Sequence, residues 1–132
     1  MRSPYRCQIC GRRKGLRKNG TIVYHHVRGL PCAGAGAVPI EENDDRLRQV
    51  ARETEGALRS ARATIRALEA RRANWIDPSL LKRRDDLRTR LDTLHRRIKR
   101  LDGWADLADR QMARYGWCQR PPAYLLARQV QR

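Results

Sequence analysis

The chain has 132 residues, a formal net charge of +16, only 5% aromatic residues and no Phe. This composition excludes a large aromatic-rich core and suits one small module extended by amphipathic helices, whose apolar stripe is narrow. A field of this sign favours nucleic acid, an acidic protein surface or an anionic membrane, and 26 of the 30 basic residues are Arg, which forks phosphate and carboxylate. Residues 1–20 lack the apolar run of a signal peptide, and no stretch approaches the roughly 20 apolar residues of a membrane span. A cytoplasmic, intracellular chain without a membrane partner is therefore expected. In a reducing compartment its cysteines point to metal rather than to disulfides.

Residues 1–33 read as a metal module. Cys7 and Cys10 are separated by two residues, so both can reach one ion from a single tight turn. Gly11 follows, where such a knuckle needs positive φ. Asn19-Gly20 predicts a hairpin turn between Gly15–Arg17 and a strand over Thr21–Tyr24. That hairpin returns His25 or His26, and then Cys32, to the CxxC. A strand through both histidines points them to opposite faces, so one binds; His25 is favoured over His26. Cys118 is a third candidate for the fourth ligand, because an antiparallel helical hairpin brings it back level with Cys32; otherwise it is a buried thiol beside Trp117. Four protein ligands leave no open position, so the expected zinc is structural. A redox CxxC would call for a βαβ context that the sequence lacks.

The run CxxCGR…NG…H…CxG resembles the short zinc-ribbon modules of small actinobacterial and actinophage proteins, over residues 7–34 only. The resemblance implies Cys7, Cys10, His25 and Cys32 as ligands and a phage or actinobacterial source. This chain departs from that pattern at Ala33-Gly34, where a Pro is expected before the Gly.

Residues 34–40, GAGAVPI, read as a linker. Acidic residues then crowd the start of a helical pattern, where a helix dipole favours them. Leu47, Val50 or Ala51, Thr54, Leu58, Ala61, Ile65, Leu68, Arg72 and Trp75 step by three and four. The seam breaks over 74–78, where Asp77 suits an N-cap and Pro78 the first helical position. Leu80 or Leu81, Arg84, Leu87, Leu91, Leu94, Ile98, Leu101, Ala105, Ala108, Met112 and Tyr115 continue the step to Gly116, with Gly103 a weak point inside it. Two helices of about 35 residues, each about 50 Å long, joined by a short turn, predict an antiparallel coiled-coil hairpin over 41–116. The seam is thin and Ala-rich, so a homodimer would bury more of it. Pro121-Pro122 interrupts the 117–132 tail before a short last helix. The expected fold is thus mainly α: zinc ribbon, helical hairpin, short C-terminal helix.

No Ser/His/Asp set, phosphate-cradling Gly loop or isolated carboxylate pair is present, so no enzyme is expected. Residues 1–40 carry eight Lys and Arg and no acid, and residues 75–116 carry eleven against seven acids, so the basic excess sits in the module and the second helix. Arg12, Arg13, Lys14, Arg17, Lys18 and Arg28, with Tyr5 and Tyr24 to stack on bases, point to nucleic acid, DNA ahead of RNA. Lys82, Arg83 and Arg84 begin a second basic run, in which Asp86 with Arg90 and Asp92 with Arg96 are expected as intrahelical pairs. A regulator that binds protein is the alternative. In architecture the chain is similar to bacterial transcription factors that push a hairpin into the RNA polymerase secondary channel. Those need acids at the tip, and this tip has only Asp77. Trp75 and Ile76 would anchor a partner there, although Trp75 capping the seam is the favoured reading. A dimeric assembly protein is the third reading.

Overall fold

The computed structural model describes residues 3–130; residues 1–2 and 131–132, the outer ends of the expected module and tail, lie outside the described residues. The architecture is mainly helical, with a small antiparallel hairpin of β1 (His26–Val27) and β2 (Leu30–Pro31) ahead of the helices. These are α1 (Asp45–Ala70), α2 (Pro78–Asp102), α3 (Trp104–Tyr115) and α4 (Ala123–Val130). No helix among the described residues is long and apolar enough to cross a membrane.

The three-four step builds the helical hairpin. Leu47, Val50, Ala51, Thr54, Leu58 and Ile65 are the buried residues of α1 and face Leu91, Leu94 and Leu101 of α2 across the hairpin. Asp77 begins α2 as expected: its carboxylate accepts the Ser79 N–H at 2.9 Å, and Pro78 occupies the first turn, where its missing N–H costs nothing. Trp75 does not cap the seam. It is 70% exposed at the tip, while Ile76 is half-buried.

Both arms are shorter than the expected 35 residues. The first helix has 26: residues 41–44 are engaged elsewhere, the Glu41 carboxylate accepting the Arg6 N–H and Asp44 drawn inward, and at the other end the helix stops at Ala70, with Arg72 at a left-handed φ of +52. The second arm is divided at Gly103, which gives α2 of 25 residues and α3 of 12. The Arg48–Asp102 ion pair, at 2.6 Å, sets the level of the two arms. Three residues before Arg48 and three after Asp102, the start of α1 stands level with Ala105. Met112 and Tyr115, read as seam positions, therefore project past α1 and are exposed, whereas Ala105 and Ala108 are buried. Gly116 ends α3 with φ +74, a left-handed conformation that Gly adopts without a Cβ penalty.

One core joins the small module to the helices. Cys7, Ile9 and Ile22 pack with Leu47, Val50 and Ala51 of α1, Leu94 and Leu101 of α2, and Leu125 of α4. The 34–40 stretch runs along the module rather than free of it. The Ile22 N–H donates to the Ala37 carbonyl at 2.8 Å, and the Gly36 N–H to the Ile22 carbonyl at 2.9 Å. The last helix closes the base: the Tyr124 hydroxyl donates to the Ile40 carbonyl at 2.7 Å, and Arg128 forks onto Asp44. Burial first, then the charge of Asp44, pushes the Tyr124 hydroxyl well above its ordinary range, which keeps it a donor.

Candidate metal centre

The first two ligands stand on a knuckle whose backbone closes on itself. The Gly11 N–H donates to the Cys7 carbonyl and the Cys7 N–H to the Arg12 carbonyl, each at 3.0 Å, while the Ile9 N–H points at the Cys7 sulfur at 3.4 Å. Gly11 has φ +71, as its place after Cys10 predicts.

The Asn19-Gly20 turn forms, but not as the head of a regular ladder. The Gly20 N–H donates to the Arg17 carbonyl and the Arg17 N–H to the Thr21 carbonyl, a three-residue loop with Gly20 at φ +81. Only one isolated bridge, Leu16 to Ile22, follows, so the expected strand over Thr21–Tyr24 is absent. Regular pairing comes later, in His26↔Pro31 and Val27↔Leu30 around a turn at Arg28-Gly29. Both turn residues have positive φ, +53 and +78, the signature of a tight hairpin turn that matches strand twist. This second hairpin stands on the other two ligands. His25 precedes it, Cys32 follows it, and the Cys32 N–H donates to the His25 carbonyl at 3.0 Å.

Cys7, Cys10, His25 and Cys32 each offer one ligand atom, all within 4.8 Å of one another. The Cys7 and Cys32 sulfurs are 3.7 Å apart, and the Cys10 sulfur lies 3.5 Å from His25 Nε2. A tetrahedral ion bonded at about 2.3 Å to sulfur and about 2.0–2.1 Å to nitrogen requires edges of about 3.8 Å and about 3.6 Å. These two separations match the edges such an ion sets, and the other pairs lie within 4.8 Å. The sulfurs are much farther apart than the roughly 2.05 Å of a disulfide. His25 Nδ1 lies 2.8 Å from the Val23 carbonyl, which can only accept. The Nδ1 proton is fixed there, and Nε2 is left with a free lone pair toward the sulfurs. Burial pushes the Cys7 thiol up to about 12, against the Cys10 and Ile9 N–H groups that favour the thiolate. An ion binding there must displace that proton.

The alternative fourth ligands lie outside the cluster. His26 is exposed, with Nε2 3.2 Å from the Tyr24 hydroxyl and its ring edge-on to Tyr24 at 4.9 Å. Cys118 is half-buried and apart from the four.

Four contributors escape a local reading of the sequence. Gln8, between the two cysteines, is buried; its side-chain oxygen accepts the Leu47 N–H at 3.0 Å, capping α1, and its amide donates to the Val38 carbonyl at 2.8 Å. Arg97 donates to the Cys10 carbonyl at 3.3 Å and Arg46 to the Ala33 carbonyl at 3.0 Å, so helical arginines hold both metal loops. Gly34 lies against Cys7, and a Cβ built there would overlap the Cys7 sulfur, with Ile9 Cγ1 only 3.3 Å away. Gly34→Ala is therefore expected to displace Cys7 and lower metal affinity by about tenfold or more, comparable with losing an outer-shell support. Competition with a chromophoric chelator would read the change.

The basic residues of the module are placed on its outer surface. Arg12, Arg13, Arg17, Lys18 and Arg28 are exposed and Lys14 half-buried. Arg6, Arg12, Arg13 and Lys14 line one open concavity of about 660 Å³. On α2, Lys82 pairs with Asp86 at 2.9 Å and Arg84 with Asp85 at 3.1 Å, while Arg83 is exposed. The expected partner exchange differs: Asp86 takes Lys82 rather than Arg90, and the Arg96 guanidinium donates to Thr93 Oγ1 at 3.3 Å instead of reaching Asp92.

Fold and site together define a small module whose Cys3His cluster could hold a metal ion, docked on the base of an antiparallel helical hairpin. No family model, curated protein or solved structure matches the chain.

Proposed function

We propose that the chain is a zinc-stabilised, non-enzymatic protein that binds nucleic acid through its N-terminal module, DNA ahead of RNA, in an accessory or regulatory role. Zinc is the ion that a tetrahedral Cys3His set of these separations suits best, with no position left for a reacting water. The observation that carries the nucleic-acid reading is the state of the module's cations. Arg12, Arg13, Lys14, Arg17, Lys18 and Arg28 have no side-chain hydrogen bond or ion pair with any described residue, on a frame without a nearby acid until Glu41. Cations left unneutralised on a folded frame are what a phosphate backbone recruits. Tyr24 and Tyr5, both exposed, add stacking faces beside them.

The test is fluorescence anisotropy of the zinc-loaded chain on duplex and single-stranded DNA and RNA across a salt series. Replacing Arg12, Arg13, Lys14, Arg17 and Lys18 by Ala is expected to weaken binding and to flatten the salt slope by about one per lost phosphate contact. Absence of binding near physiological salt would sink the reading. A second reading, a protein partner at the hairpin tip, draws support from the exposure of Trp75; Trp75→Ala would then abolish a pull-down that the five alanines leave intact.

A further inference from the structure

The distal half of the helical hairpin carries a cluster that the basic module does not explain. Arg62 and Arg66 of α1 and Arg84 and Arg88 of α2 line one crevice of about 290 Å³, with buried Ile65 and with Glu69 as its one acid. Within each helix the two arginines are four residues apart and share a face. Antiparallel and parallel coiled coils alike gain from opposite charges flanking the seam. This flank has cations on both sides, so it forgoes that gain and adds like-charge repulsion. The local acids do little to relieve it. Arg84 Nε meets Asp85 at 3.1 Å, while Arg62, Arg66 and Arg88 have no side-chain hydrogen bond or ion pair with any described residue.

We propose that this arginine crevice is a binding site for phosphate groups of a polyanion. Guanidinium forks match phosphate oxygens bidentately, and two facing pairs offer donors to neighbouring phosphates at once. The phosphates would come from a nucleic-acid strand or from a free polyphosphate; the crevice chemistry is the same for both. The site stands whether or not the zinc module binds nucleic acid, since it shares no residue with that surface.

The experiment uses the full zinc-loaded chain with two probes, tripolyphosphate by calorimetry and a short DNA duplex by anisotropy across salt. The variant Arg62→Glu/Arg66→Glu places carboxylates opposite Arg84 and Arg88. It is expected to raise the unfolding midpoint without ligand and to weaken tripolyphosphate binding by about tenfold or more. On the duplex it should lower the salt slope by about two. Loss on tripolyphosphate identifies free phosphate as sufficient; an effect on the duplex alone identifies the strand as the source. Arg62→Gln/Arg66→Gln, which adds no new charge, repeats both measurements in case the charge reversal disturbs the helices. The proposal is overturned if either variant keeps wild-type affinity and slope for both probes, or if the wild type binds neither. Loss of duplex binding through the five module alanines, with no effect of the crevice variants, would overturn the crevice alone.

Discussion

Stripping the metal with a chelator, or replacing Cys7 by Ser, is expected to unfold residues 3–40 and to loosen the adjoining base of the helical hairpin while its distal half stays helical. The module holds little apolar mass of its own: Cys7, Ile9 and Ile22 are its members in the shared core. Its regular pairing is a two-residue ladder, far below what stands alone in water. Structural zinc sites supply an apparent 10–16 kcal/mol at neutral pH, roughly the whole stability of a small domain. Loss of the ion also withdraws Gln8 from the Leu47 N–H and the Cys10 carbonyl from Arg97, so the first turns of α1 should fray with the module. Hydrogen exchange would read this residue by residue. Protection that collapses for residues 3–50 and survives around Leu58, Ile65 and Leu91 is the expected pattern; unchanged protection in the module would remove the metal from the folding account.

The second large effect is expected at Asp44. Its carboxylate is 0% exposed and takes Arg128 through both oxygens, at 2.8 and 2.6 Å, and Arg48 at 2.7 Å. Burial works against the charge, but the hydrogen bonds and charges of Arg128 and Arg48 outweigh it and hold the carboxyl below the usual carboxylate range. Breaking a buried pair typically costs 3–5 kcal/mol. For Asp44→Ala the lower end, about 3 kcal/mol, applies, because both arginines stay partly exposed and rehydrate; the unfolding midpoint should fall by about 10 °C. Arg128→Met leaves the carboxylate buried with Arg48 alone and should be comparably damaging. The pH dependence follows in sign. A depressed carboxyl contributes stability fully above its unfolded pKa, about 3.9, and loses it as pH falls through the folded value. Acid melts should therefore separate wild type from Asp44→Ala above that range and bring them together below it. A gap that persists in strong acid would assign the loss to packing instead.

Much of the site was readable because its chemistry is local. A CxxC and a positive-φ Gly declare a knuckle within five residues, and the adjacent His25-His26 narrows the histidine ligand to two positions, although the strand alternation expected to choose between them is not there, since His25 precedes β1. Asp77-Pro78 and Gly116 mark helix ends by the same near-neighbour logic. What stayed hidden depends on partners far along the chain. Nothing near Gln8 says that it caps a helix 39 residues on, and nothing near Asp44 says that Arg128 reaches it. The strand expected over Thr21–Tyr24 failed for a related reason: Ile22 exchanges backbone hydrogen bonds with Gly36 and Ala37, well along the chain, and its pairing with Leu16 is a single isolated bridge. Met112 and Tyr115 kept the helical period, but a period carries no information about where the opposite arm begins.

The strap formed by α4 has a kinetic implication. Its anchors at Ile40 and Asp44 lie 84 residues from Tyr124 and Arg128, whereas α1 and α2 meet across a turn of a few residues. Loop-closure entropy favours the short connection, so the helical arms should nucleate early and the strap dock last. Contacts made after the folding barrier act on the escape rate: disrupting Asp44 or Tyr124 should leave the refolding limb of a chevron nearly unchanged and raise the unfolding limb. The final helix would then serve as a latch that lengthens the lifetime of the assembled metal centre.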